Sequence, residues 1–350
     1  MYDNENFYSL RKIAILRALS GLGDFLCIIP ALRSLRFALP DTEIVLVGLA
    51  KSRALIDRFS IYLDRLIEFP GYPGLPEQAP QIQDLPAFFT QMQNDQFDLA
   101  IQMHGSGTVT NPLTALFGAR INAGFFLPGQ HCPDATRFLP YRSHESEVRR
   151  YLRLLEFLGI PTQGEALEFP LTEADEQALK AATAAYRLHP GHYICIHPGA
   201  STADRRWQAE HFVAVADYLA NLGFQIVLTG STEELPLTQS IAAAMQAESI
   251  NLAGCTKLGA LAALLKGARM LICNDTGVSH LADALQVPSV VIFTDSDVDR
   301  WAPLNRELHR VIDTDAGSTP AIVMAEIGDL LQQTEVLSTS THSRQLTQAK

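Results

Sequence analysis

The run Lys12-Ile-Ala-Ile-Leu-Arg-Ala-Leu-Ser-Gly-Leu-Gly-Asp-Phe25 carries the first readable signal in the chain. Lys12 to Ala18 is almost wholly apolar and short, the pattern of a strand buried on both faces. Leu19 to Asp24 is a glycine-containing loop. Phe25 to Ala38 has helical spacing, with Arg33 and Arg36 on its wet side and Pro40 as its stop. Strand, tight turn and helix in that order open a parallel α/β sheet. The rhythm continues outward: strand-like Glu43 to Val47, helix-like Ala50 to Phe59, strand-like Arg65 to Phe69, a Pro/Gly loop from Pro70 to Pro80, a helix near 82–94 and a strand from Asp98 to His104.

A second series starts at Tyr193. The segments Tyr193–His197, Phe224–Thr229, Ser249–Ala253, Met270–Asn274 and Ser289–Phe293 read as strands. Glu210–Leu222, Pro236–Ala247, Lys257–Gly267 and the stretch around Val278–Leu285 read as helices. Pro190-Gly191 breaks the chain between the two series. The expected organisation is a Rossmann-like domain over 1–187, a second over 188–332, and a polar, disordered tail over 333–350. In open parallel sheets ligands bind beyond the carboxyl ends of the strands. Two such sheets facing each other make a cleft, and the informative residues are those just after strands.

Composition narrows the function. The chain has 350 residues, a length typical of about two domains. Apolar residues make up 47 % and charged residues 19 %, which suits a globular core rather than disorder. The 27 Lys and Arg against 38 Asp and Glu give a net charge of −11 and speak against a nucleic-acid binder. The longest apolar run near the start, Phe25–Leu32, is far shorter than a membrane span, and Met1–Leu10 lacks a signal-peptide pattern. The expected location is the cytoplasm, with buried free thiols at the five scattered cysteines and no metal-ligand spacing.

Four polar constellations follow strands. Ser20-Gly-Leu-Gly-Asp24 has the glycines of a tight turn but Leu26 at the third position of the dinucleotide fingerprint. Asp24 reads either as a helix N-cap or as a carboxylate that takes a proton from a substrate hydroxyl. His197-Pro-Gly-Ala-Ser-Thr-Ala-Asp-Arg-Arg-Trp207 offers Ser201 and a forked Arg205 or Arg206 to phosphate oxygens, or is a solvated loop with Trp207 in the core. Asn274-Asp-Thr-Gly-Val-Ser-His-Leu-Ala282 sets Asp275, Thr276 and Gly277 at a helix start with His280 one turn on, either a diphosphate seat or a cap with a packed histidine. Asp295 and Asp297 form a D-x-D, a pattern that in some enzymes holds a divalent metal with a nucleotide sugar and whose plain reading in an acidic chain is a solvated loop. The six arginines between Arg120 and Arg153 read equally as an attractor of acidic acceptors or anionic lipid and as a solvated helix face. The His104-Gly-Ser-Gly107 turn is a candidate acceptor contact by its position after a strand.

Taken together these segments resemble glycosyltransferase family 9, the heptosyltransferase family of lipopolysaccharide core assembly. The resemblance covers roughly Lys12 to Pro303. Its markers are Ile15-Leu-Arg17 with Gly21-Leu-Gly-Asp24, Pro30-Ala-Leu-Arg33, Asp98 to Gly105, His197-Pro-Gly-Ala-Ser201 with Arg206-Trp207, Asp275-Thr-Gly-Val-Ser-His-Leu-Ala282, and Arg300-Trp301. It implies a GT-B fold of two Rossmann-like α/β domains, acceptor mainly on the first and nucleotide-sugar donor mainly on the second. It also implies inversion at the anomeric carbon without an obligatory metal or other cofactor. The family's base falls on Asp24. Its donor contacts fall on Ser201, Arg205, Asp275, Thr276, Gly277 and His280, and an acidic position falls on Glu233 or its neighbour Glu234. Gly23 and His104 are the expected acceptor contacts.

Three departures stand out. The basic residue two before Trp207 is commonly lysine in the family and is Arg205 here. The family's Gly-Pro-Thr after the last strand is Thr294-Asp295-Ser296, so only Asp297 matches. The loop around Met103-His104 lacks the usual polar pattern. The expected partners are a nucleotide sugar, with ADP-heptose as the family donor, a saccharide or glycolipid acceptor, and transient contact with the inner face of the cytoplasmic membrane. The rival readings are a sugar-nucleotide epimerase or dehydrogenase, which needs a cofactor fingerprint this sequence lacks, and a non-catalytic nucleotide-sugar-binding protein, which the altered 294–296 loop favours and the retained Asp24 and His280 oppose.

Overall fold

The computed structural model describes the backbone of residues 10–314 and 317–348, and the side chains within that span as far as residue 334. The chain divides into two compact units, 1–166 and 167–350. The division falls ahead of Pro190-Gly191 because the helix Glu173–Ala182 packs on the helix Leu258–Gly267 of the second unit. The expected tail over 333–350 falls at the end of the helix Pro320–Gln348. Beyond residue 334 its side chains lie outside the described residues, as do 349 and 350.

The first unit holds β1 (Lys12–Leu16), β2 (Glu43–Gly48), β3 (Arg65–Glu68), β4 (Leu99–Gln102), β5 (Ile121–Phe126) and β6 (Phe138–Pro140). They form one parallel sheet in the order β3-β2-β1-β4-β5-β6. The second unit holds β7 (Tyr193–His197), β8 (Gln225–Leu228), β9 (Ser249–Asn251), β10 (Met270–Asn274), β11 (Ser289–Phe293) and β12 (His309–Asp313). Its order, β12-β11-β10-β7-β8-β9, is the same topology, again all parallel.

The central strands explain their own burial. Ile13, Ala14, Ile15 and Leu16 of β1 have no exposed surface, and Ile15 lies between Leu46 and Ile101. Burying each such aliphatic side chain contributes about 1.5–3 kcal/mol. In β10, Ile272 lies between Ile196 and Val290, and these residues join Phe212, Val215 and Leu219 of the helix Ala209–Asn221 in one core.

Four features differ from the sequence reading. The expected helix Phe25–Ala38 is two helices, Leu22–Leu26 and Ile29–Ala38, because Pro30 lacks the N–H that a continuous helix needs there. Strand β5 was hidden by Asn122 and Gly124, both poor strand formers. Strand β6 has only three residues and contains Pro140. Strand β12 is a sheet edge with Arg310 and Asp313 on it, so it lacks a continuous apolar run.

In both sheets the strand order reverses at the centre: between β1 and β4 in one, between β7 and β10 in the other. The crevice beyond the carboxyl ends at such a reversal is where open α/β sheets bind ligands. Asp24 and His104 follow the first pair. His197 to Arg205 and Asp275 to His280 follow the second.

Candidate active site

In the first unit the helix Leu22–Leu26 starts from Gly21, whose residue type provides no side-chain cap. Asp24 is the middle residue of that short helix, inside its first turn, so it is not the N-cap. Its side chain is 25 % exposed, and Arg17 Nη2 lies 3.6 Å from its Oδ1. The carboxylate turns back over Gly21, where a Cβ would lie 2.5 Å from Oδ2. Glycine at 21 therefore leaves room for the acid. Gly23 is buried in the same turn.

His104 lies at the neighbouring strand end and is buried. Its Nδ1 accepts the Ala18 amide at 3.1 Å, so Nε2 carries the hydrogen and donates to Glu77 Oε1 at 3.1 Å. Burial alone raises the Glu77 carboxyl, but the His104 bond holds it below the ordinary carboxylate range. With both ring nitrogens committed to protein groups, His104 fixes the backbone of Ala18 and the Pro70–Pro80 loop. Gln102 Nε2 donates to Thr110 Oγ1 at 2.7 Å and Gly105 O at 3.2 Å, and Gln102 Oε1 accepts the Phe125 amide at 3.1 Å.

In the second unit the two loops beyond β7 and β10 are stitched by a side chain the sequence reading gave no role. Asn274 is fully buried. Its Nδ2 donates to Pro198 O at 2.8 Å and Gly199 O at 3.3 Å, and its Oδ1 accepts the Trp207 amide at 2.9 Å. That holds Arg205 beside Asp275: Nη2 donates to the Asp275 carbonyl at 2.9 Å and to its carboxylate, while Nη1 lies 3.4 Å from Ser201 Oγ. Arg205 Nε is buried with no hydrogen-bond partner among the described residues. Asp275 is 3 % exposed, so the arginine neutralises a charge that would otherwise be isolated.

Thr276 caps the helix Gly277–Ala284, its Oγ1 accepting the Val278 amide at 3.3 Å, and that helix has no acid in its first turn. The helix start presents N–H groups and a positive dipole end suited to an anion. His280 is buried on the same helix, with its ring 6.0 Å from that of Trp301. Of the two acids after β8, Glu233 is exposed, whereas Glu234 lies against the His197-Pro-Gly199 loop. Glu234 Oε2 accepts the Ser231 amide at 2.7 Å and lies 3.9 Å from His197 Nε2, and any Cβ on Gly199 would overlap its carboxylate. Burial pushes the His197 imidazole below its ordinary pKa, against the pull of Glu234. Its Nδ1 is 3.0 Å from Thr229 Oγ1.

The remaining signals resolve differently. Asp297 Oδ1 accepts the Arg300 amide and caps the short helix Val298–Trp301. In the departing loop, Thr294 Oγ1 and Ser296 Oγ are buried with no hydrogen-bond partner among the described residues. Trp207 packs on Phe212 in the core. The basic stretch is largely neutralised: Arg120 pairs with Asp98, Arg137 with Asp134, Arg149 with Glu165, Arg150 with Glu147 and Arg153 with Glu145. Arg120 and Arg149 are exposed in these pairs and Arg137 partly so, and Arg142 is exposed as well, so of the two readings the arrangement fits a solvated face. Among the described residues no helix is long and apolar enough to cross a membrane.

The family model for glycosyltransferase family 9 (heptosyltransferase) matches residues 86–328. Lipopolysaccharide heptosyltransferase 2 of Escherichia coli (strain K12) is 31 % identical over 161 residues, which are 39 % of this chain and 46 % of that protein, so the match spans about half the length of that relative. A glycosyl transferase family 9 structure from Veillonella parvula DSM 2008 is similar with a TM-score of 0.78 at 23 % identity, covering 92 % of this chain and 98 % of that one. The structure of E. coli ADP-heptose lps heptosyltransferase II gives a TM-score of 0.73 at 23 % identity, covering 93 % and 99 %. At such identities the likeness is one of fold, and the α/β fold with two parallel sheets is that of the GT-B heptosyltransferases.

Proposed function

The chain belongs to glycosyltransferase family 9, and on that premise we propose that it transfers heptose from ADP-heptose, with inversion, to a hydroxyl of a lipopolysaccharide-core saccharide or glycolipid. The observation that carries the reading is the Asp24 carboxylate. It sits at the strand reversal of the first sheet, partly exposed, and is not the cap of its helix.

In the proposed reaction the acceptor hydroxyl gives its proton to Asp24 as its oxygen attacks the anomeric carbon of the donor. The bond from that carbon to the diphosphate oxygen breaks, and the leaving nucleoside diphosphate takes the electron pair. Arg205, His280, Ser201 and the amides of Thr276 and Gly277 hold the developing charge. Asp275 acts through Arg205, which it orients. The acid that faces the nucleoside or sugar is Glu234 in preference to Glu233, since only Glu234 is joined to the loop that carries Ser201. Gly23 belongs to the acceptor side through the turn that carries Asp24. His104 belongs there by holding Ala18. No metal and no cofactor enters this scheme. The protein acts in the cytoplasm, on an acceptor presented at the inner face of the membrane.

The test pairs turnover with binding. Asp24→Asn loses about 10²–10⁴ in kcat, the usual worth of general-base help, and still binds donor. Near-normal turnover in that variant overturns the assignment. A thermal-shift series with ADP-, UDP-, GDP- and dTDP-sugars names the donor, because a ligand that binds the folded state raises its apparent stability. A response to every nucleotide sugar except the ADP-linked ones removes ADP-heptose.

A further inference from the structure

At the end of β1, Arg17 is 4 % exposed and yet carries a full charge. Its Nε and Nη2 both donate to the Asp24 carbonyl, at 2.9 and 2.6 Å. Nη1 donates to Met103 O at 2.8 Å and to the Tyr151 hydroxyl. The Tyr151 hydroxyl passes its own hydrogen to Glu147 Oε2 at 2.5 Å, and the other Glu147 oxygen pairs with Arg150. Arg150 Nη2 then gathers the carbonyls of Arg142, Ser143 and Glu145 at 2.7, 3.2 and 2.9 Å. The series thus runs from Asp24 to the helix Glu147–Phe157 and the loop before it, more than a hundred residues away in sequence.

We infer that Arg17, Tyr151 and Glu147 are positioning residues that set where the Asp24 carboxylate stands, and so control turnover without touching substrate. The inference rests on the reading of Asp24 as the base. Three features carry it. Arg17 grips the backbone of the acid with two donors from one rigid fork, which fixes its place more tightly than a point charge can. Every other face of that fork is held, by Met103, by Tyr151 and, at 3.8 Å, by Glu147. The charges balance only with Asp24 included: Arg17 and Arg150 against Glu147 and Asp24. Stability alone is a poor reason for such a cluster, because apolar packing serves a core at least as well as buried ion pairs. Asp24 is also its most exposed member.

The test is a double-mutant cycle on the full chain, with donor and acceptor kinetics and thermal unfolding for each variant. Tyr151→Phe keeps the ring and removes the hydroxyl. It lowers kcat about tenfold while both KM values stay within about twofold, as expected when a reacting group is displaced by a fraction of an ångström. Arg17→Lys keeps the charge, loses the fork, and lowers kcat about a hundredfold on the same basis. Tyr193→Phe deletes a comparable buried bond, to Leu264 O at 2.5 Å, in the second unit and leaves kcat unchanged. In an Asp24→Asn background, Tyr151→Phe has no further effect on kcat.

Loss of turnover in Asp24→Asn with a Tyr151→Phe effect no larger than that of Tyr193→Phe overturns the inference and leaves the base assignment standing. Effects of Asp24→Asn and Tyr151→Phe that multiply also overturn it, since Tyr151 then acts elsewhere. Full turnover in Asp24→Asn removes the base assignment, and the inference with it.

Discussion

The two units share one strand order but put opposite chemistry on the two sides of its central reversal, after β1 in one and after β10, the counterpart of β4, in the other. In the first, the helix after β1 follows a five-residue loop, 17–21, and carries its own acid, Asp24, in the first turn. In the second, the helix after β10 starts at once with no acid in its first turn, and the nearby Asp275 is neutralised by Arg205. A helix start draws negative charge to itself. One unit fills that position with a carboxylate of the protein, and the other has no acid of its own in the first turn. The supporting networks differ in the same sense. Buried charges hold Asp24, whereas a neutral amide, Asn274, holds the loops of Arg205 and Asp275. Shared topology therefore sets where these loops sit, while the first helical turn after the strand sets the charge each one presents.

The sharpest way to break this contrast is to compare Asp24→Asn with Arg205→Ala. The first loses about 10²–10⁴ in kcat with ADP affinity unchanged, by titration calorimetry. The second weakens ADP about 10- to 100-fold, the worth of a charged hydrogen bond, and lowers the melting temperature because Asp275 is left buried and unpaired. Equal losses of ADP affinity in both would erase the division of labour.

A smaller effect is expected from one added methyl group in each unit. Gly21→Ala pushes the Asp24 carboxylate from its place and lowers kcat about tenfold with donor KM unchanged. Gly199→Ala displaces Glu234 and raises donor KM instead. A rise in donor KM in both variants counts against the separation.

Acid should also reach the units in turn. His197 has its folded pKa lowered from 6.5 by burial, so below that value the unfolded chain binds the extra proton first. Its contribution is complete above about 6.5 and is lost as the pH falls below it. Glu77 in the first unit is lowered from 4.5, so its contribution persists until the pH falls below about 4.3. Hydrogen exchange at pH 5.5 should show amides of β7 and β8 losing protection before those of β1 and β4, and His197→Gln should remove that difference. Simultaneous loss speaks against it.

The least effect is expected at the surface. Arg149 pairs with Glu165, and both are more than two-fifths exposed. Arg149→Ala should change unfolding free energy in urea by no more than about 0.5–1 kcal/mol.

The alternation of strands and helices was legible because each central strand is a short apolar run and all connections but that from β2 to β3 carry Gly or Pro. β10 and β11 were read to the residue, since both are buried on two faces. The edge strands β6 and β12 were not legible, because a short or one-sided strand needs no apolar run. In the site, Asp24, Arg205 and Asp275 were visible as polar residues just after strands. The side chains that hold their surroundings, Tyr151 through Arg17 and Asn274 through the Trp207 amide, were not visible in those roles, because a hydrogen bond across 134 or 67 residues leaves no local periodicity. The same blindness left the arginines from 120 to 153 undecided between an anion attractor and a solvated face, since Asp98 and Glu165, which answer two of them, lie outside that stretch.

What the amino-acid order settled by itself was the set of loops that carry chemistry and their attachment to strand ends, since apolar runs and glycine turns act locally. Which acid of Glu233-Glu234 packs on the loop 197–199, that Arg17 is buried against Asp24, and that His104 is committed on both nitrogens were decided only by tertiary packing. A side chain's task depends on which groups the other strands bring within about 3 Å of it, and hydrogen bonds reach no further.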